Sequence, residues 1–162
     1  MVVESSGDVL SRLDLGYAAL FLGLRVNELV VERLAAAGFG DVRESHGYVI
    51  QHLIESERSI TELAERMEVT QQAASKVVAE LAEIGILEIS SAEDRRAKKV
   101  RLSARGWESV RSSRRFRQQL AKRLVAAIGV KEYESARATL LACMEVLGGL
   151  PSIRSRRVRP PR

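Results

Sequence analysis

Apolar residues recur at spacings of three and four along most of this chain, the period of helices with one buried face. Leu10, Leu13, Tyr17, Leu20, Leu24, Val31 and Leu34 predict one long helix over 8–37, with Asn27 the polar exception on its stripe. The glycines of "AGFGD" end it. A second helix is expected over 42–56, with Val49, Ile50, Leu53 and Ile54 inward. "SITE" reads as a capping box that opens a third helix at Ser59, with Ile60, Leu63, Ala64 and Met67 on its inner face. Thr70 is the expected cap of a fourth, which ends before Gly85. The pattern then changes: "ILEI" and "KKVRL" are short and strand-like. Ser103 begins a fifth helix that reaches about Ile128 and is strongly charged until Leu120. A sixth, over 131–148, carries Tyr133, Ala136, Leu140, Met144 and Leu147, and "GGLP" stops it. The fold class expected is mainly α with a small β-hairpin (α+β).

A length of 162 residues suits one domain with extensions, and 46% hydrophobic content is enough for a core. A net charge of +5 favours polyanionic partners, without choosing between nucleic acid and an acidic membrane surface. Cys143 is the single cysteine, so no intramolecular disulfide can form, and its place on an apolar stripe makes it a packing residue. The N-terminus lacks the basic-then-apolar order of a signal peptide, and no apolar run approaches the roughly 18 residues of a membrane span. A soluble, cytoplasmic protein is expected. No nucleophile elbow, zinc-protease helix, phosphate loop or dinucleotide fingerprint is present, which argues against an enzyme, and no cofactor is expected. His46 and His52 stand six apart and cannot form a helical metal pair.

The chemistry concentrates between Ser59 and Leu102. Two short helices joined by a tight turn at "MEVT" follow the helix-turn-helix plan. The second divides its faces. Ala74, Val77, Val78, Leu81 and Ile84 lie on one side; Gln71, Gln72, Ser75, Lys76 and Ala79 lie on the other. Glutamine can pair with adenine, a hydroxyl is adaptable, an alanine methyl can meet the thymine methyl, and Lys76 suits a phosphate. After this helix comes "SSAEDRRAKKVRL", in which Arg95, Arg96, Lys98, Lys99 and Arg101 put five positive charges into seven positions. A basic hairpin directly after a helix-turn-helix is a wing. Its tip can reach a narrow minor groove that a helix cannot enter. Asp94 is expected to pair with a neighbouring arginine and fix the wing's shape. The DNA contacts expected here are Gln71, Gln72, Ser75 and Lys76 on the helix, with Arg95, Arg96 and Lys98 on the wing.

"LAERMEVTQQAASKVVAELAEIGIL" followed by "DRRAKKVRLSARG" resembles the MarR (multiple antibiotic resistance regulator) family of bacterial transcription factors. Less specifically, the resemblance extends over 8–148. It implies a homodimer of winged-helix protomers: dimerisation helices at 8–37 and 104–148, a DNA-binding domain at 42–103, and a basic tail at 149–162. It implies repression at palindromic operators, relieved by a small molecule bound between the two parts. One departure concerns the wing. Where many members carry acid–x–Arg, this chain has Ser91, Ala92 and Glu93, so the tip contact falls to Arg95 or Arg96. Tyr17, Phe21, His46, Val49, Ile50 and Trp107 are the candidate lining of an effector pocket suited to an aromatic or phenolic molecule. The competing reading is a winged-helix assembly module that binds an acidic protein. Such surfaces favour aromatic and aliphatic anchors, which Gln71, Gln72 and Ser75 are not.

Overall fold

The computed structural model describes residues 6–90 and 98–154. In chain order it holds α1 (Ser6–Ser11), α2 (Leu15–Leu34), a π-helical turn (Ala35–Phe39), α3 (His46–His52), β1 (Arg58–Ser59), α4 (Ile60–Met67), α5 (Gln71–Glu83), β2 (Leu87–Ser90), β3 (Lys99–Leu102), α6 (Ala104–Ile128), α7 (Val130–Val146) and α8 (Leu150–Arg154). Helices dominate, and the strands form one antiparallel sheet in the order β1-β3-β2. Leu87 pairs with Leu102 and Ile89 with Val100 in the hairpin, while Arg58 faces Val100 from the other edge.

Local chemistry accounts for most boundaries. The Ser59 hydroxyl accepts from the Glu62 amide at 3.1 Å, and the Glu62 carboxylate accepts from the Ser59 amide at 2.7 Å. That closes the expected capping box, and these bonds hold the Glu62 carboxyl below its ordinary range. Thr70 caps α5 through the Ala73 amide at 3.1 Å. Ser103 caps α6 through the Gly106 amide at 2.9 Å and also donates to the Gly85 carbonyl at 2.6 Å. One hydroxyl therefore starts the long helix and ties it back to the end of α5.

The helix expected over 8–37 is broken. Residues 12–14 leave the helical path, and Asp14 restarts it by accepting from the Tyr17 amide at 3.0 Å. A short acidic side chain that bonds the backbone ahead of it competes with helix continuation, and here it wins over the leucine stripe. At the other end the chain reverses at Gly38, whose φ of 88° is open to glycine at little steric cost. The second helix is shorter than 42–56, because 43–45 form turns and only His46–His52 is helical. The stretch after "GGLP" is not all tail: α8 occupies Leu150–Arg154.

The core belongs to the winged helix. Val49, Leu63, Val78, Leu81, Ile86 and Val100 are fully buried there, each contributing about 1.5–3 kcal/mol by leaving water. Phe39 and Val42 after α2, and Val110 on α6, join the same cluster. α7 buries no residue fully.

The tightest packing lies where α6 leaves the hairpin. A side chain on Gly106 would collide with the Ile86 carbonyl and crowd Leu102 Cδ2 at 3.1 Å. Gly106→Ala is expected to lower the unfolding free energy by at least the upper end of the ~1–3 kcal/mol usual for overpacking, because the obstacle is backbone. Gly23→Ala in α2, with nothing within 4 Å, should be neutral or slightly stabilising. Urea denaturation of both variants checks the pair. Equal midpoints would contradict the packing described.

Candidate nucleic-acid interface

α4 and α5 meet at a turn whose pivot is Glu68, in the left-handed region with φ 53°. The Val69 amide donates to Ala64 at 3.0 Å and closes the turn. Against this support α5 buries Ala74, Val78 and Leu81 and exposes Gln71, Gln72, Ser75, Lys76 and Ala79. The structure thus brings the four helix residues expected from sequence onto one face. They are not equivalent. The Gln71 amide donates to the Thr61 hydroxyl on α4 at 3.1 Å. Gln72, Ser75 and Lys76 have no side-chain partner among the described residues.

The wing's five cations also divide. Arg101 pairs across the strands with Glu88 at 2.9 Å, and Lys99 pairs with Glu57 at 3.1 Å. Both charges are spent on the sheet. Lys98, exposed at the foot of β3, is not paired among the described residues. Arg95, Arg96 and Asp94 lie outside the described residues, as does the departure at 91–93.

A cleft of about 710 Å³ opens between α2, α3 and α6. Of the six residues expected to line an effector pocket, Ile50 alone borders it. Val49 is fully buried in the core, and Trp107 packs against that core. Tyr17 and Phe21 stack on each other, ring centroids 6.4 Å apart, on a part of α2 where both stay exposed. His46 is buried beside the cleft without bordering it. The structure does not bring these six together.

Residues 41–97 match the family model described as "MarR family". Over that segment, about a third of its length, the chain is similar to the MarR family. Solved structures extend the likeness in fold to most of the chain. MepR, a transcription regulator of the Staphylococcus aureus multidrug efflux pump MepA, superposes with a TM-score of 0.67 at 15% identity, covering 83% of this chain and 99% of that one. The YusO protein from Bacillus subtilis gives 0.66 at 20% identity, with 88% and 99% covered. An S. aureus MepR–DNA complex gives 0.61 at 16%, with 84% and 99% covered. No curated protein matches the sequence.

In this winged helix a polar cluster joins the cleft to α5. The Arg43 amide donates to His46 Nδ1 at 3.2 Å, and the Arg43 guanidinium lies 3.1 Å from His46 Nε2, which also faces the Glu80 carboxylate of α5 at 3.6 Å. The Arg43 guanidinium borders the cleft and also donates to Glu80. Arg105 holds the other end of α5. It donates to the Ile84 carbonyl, to Gly38 O at 3.1 Å and to Asp41 at 3.0 Å, with its guanidinium 5.4 Å from the centre of the Phe39 ring. Sequence reasoning passed over Arg43, Glu80 and Arg105, whose partners stand far away in the chain. It also passed over Ser109, Ser113, Arg114 and Arg117, which border the cleft from α6. Their spacing of four, five and eight from Ser109 is a helical stripe and was a usable signal.

Burial first, and then the charge of Arg43, lowers the His46 pKa from its ordinary 6.5, while Glu80 and Asp41 pull the other way. The neutral ring is therefore the form that favours folding. Its contribution is complete above the unfolded-state pKa and is lost as pH falls through that value toward the folded one. Stability should fall as pH drops below the ordinary histidine value of 6.5, and His46→Gln should remove its share of that slope. Urea midpoints of both proteins across the range test this; parallel curves would remove His46 from the account.

Proposed function

We propose that this chain is a cytoplasmic, homodimeric, sequence-specific DNA-binding transcriptional regulator, a repressor released by a small molecule. The observation that carries the reading is the exposed face of α5. It offers an amide, a hydroxyl and an ammonium, all unpartnered among the described residues, beside a hairpin on which Lys98 too is exposed and unpaired among the described residues. A surface made for protein assembly would carry aromatic or aliphatic anchors there. The MepR–DNA complex shares this fold and supports duplex DNA as the partner.

Exposed apolar surface supports the dimer. Leu10 is 73% exposed, Leu20 52% and Leu147 84%, and Phe21, Val130 and Met144 extend the surface over α2 and α7. These helices, with α6, are the proposed dimerisation part, and residues 42–103 the DNA-binding part. A second copy would cover leucines that otherwise face water. α6 runs from the hairpin into that region, so a molecule wedged in the cleft would change the separation of two reading helices.

Footprinting should show two half-sites about 10 bp apart, or a multiple of that, protected together. Protection of one asymmetric half-site by a monomer would contradict the reading. Arg95→Ala with Arg96→Ala should weaken all sequences and reduce the slope of log affinity against log salt by about 1–2. Gln72→Ala should instead narrow the gap between operator and random DNA. Fluorescence anisotropy at several salt concentrations separates the two effects.

A further inference from the structure

We propose that the cleft binds a free, long-chain aliphatic carboxylate, its head held by Arg114 and Arg117 and its tail laid along α2 and α3. The proposal rests on the reading of this cleft as the effector site and adds the class of ligand.

The walls define the tail. Leu20, Leu24, Val31, Leu34, Ile50 and Ile54 are all aliphatic, and Tyr48 is the one aromatic side chain among the described lining. A site for a planar aromatic ring would be expected to offer more stacking partners. The volume, about 710 Å³, falls within the range of small-molecule sites and exceeds the needs of a single-ring acid.

The wall formed by α6 defines the head. On the cleft side of α6 stand Ser109, Ser113, Arg114 and Arg117, with Val110 the one apolar residue among them. Several other cations of this region are matched. Arg111 and Arg115 both pair with Glu108 at 2.9 Å, and they hold its carboxyl below the ordinary range. Arg105 pairs with Asp41, and Arg43 pairs with Glu80. Arg114 and Arg117 border the cleft without an acidic partner among the described residues. Glu44 is the one acid on the described lining, so the two arginines leave a net positive charge there. Guanidinium and carboxylate match in charge and in planar geometry.

Dodecanoate is the probe, titrated calorimetrically into the full chain without DNA. Three further probes separate head from tail: 1-dodecanol, dodecyltrimethylammonium and salicylate. Dodecanoate should bind most tightly, with salicylate and the cationic analogue weaker by about tenfold or more. Arg114→Gln with Arg117→Gln should weaken dodecanoate by about tenfold or more and leave 1-dodecanol unchanged. Arg114→Lys with Arg117→Lys, which keeps the charge, should recover part of the loss even if the glutamine variant folds poorly. Equal dodecanoate affinity in wild type and glutamine variant, or salicylate binding as tightly as dodecanoate, would overturn the proposal. So would a glutamine variant that lost DNA affinity and salt slope but kept dodecanoate, because the arginines would then be phosphate contacts. A final titration with DNA present separates the two readings. Dodecanoate that binds at Arg114 and Arg117 without weakening DNA binding upholds the ligand and removes the effector role.

Discussion

Arg105 holds together the parts on which this molecule depends. Its guanidinium satisfies the Ile84 carbonyl at the end of α5, the Gly38 carbonyl where the chain reverses after α2, and the Asp41 carboxylate. It also lies against Phe39 in the shared core. Helix ends leave carbonyls without partners, and here one delocalised cation satisfies the end of α5 and fixes its position against α6. Ser103 adds a second tie from α6 to the same point through Gly85. The end of α5, the turn after α2 and the start of α6 therefore share one joint. A displacement of any of them has to strain that joint or move the others.

Charge is distributed in the same selective way. Acids neutralise the cations that hold the structure: Glu88 with Arg101, Glu57 with Lys99, Glu108 with Arg111 and Arg115. Most of these pairs are exposed, and each adds little stability. Their larger effect is on what remains. Lys76 on α5, Lys98 beside β3, and Arg114 and Arg117 at the cleft have no acidic partner among the described residues. The net charge of +5 says that such a surplus exists; pairing decides where it can act.

The hydrophobic surface is divided between what the single chain buries and what it leaves open. The winged helix encloses its own core, with Leu63, Leu81, Ile86 and Val100 wholly inside. α7 has the periodic apolar positions of a packed helix, yet Met144 and Leu147 face outward. A stripe of this kind has no physical reason to persist against water unless something covers it.

The sequence by itself determined what depends on neighbours along the chain. Ser59, Thr70 and Ser103 start helices because their hydroxyls reach amides three residues on, and α5 splits its faces because 3.6 residues make a turn. The winged helix and the polar face at Gln72, Ser75 and Lys76 were legible for that reason. Even locally there was competition: Asp14 could cap a helix or ride on one, and the leucine stripe around it concealed the break. Only the tertiary structure decided which inward residues meet. Tyr17, Phe21 and Trp107 looked suited to a pocket by type, but helix packing sent them elsewhere and gave the cleft to Leu24, Ile54, Arg114 and Arg117. It also joined Arg43 to Glu80 and Arg105 to Asp41 across long stretches of chain. Periodicity assigns a side chain to a face of its own helix. The neighbour across from that face is set by crossing angles and connection lengths, which no local pattern records.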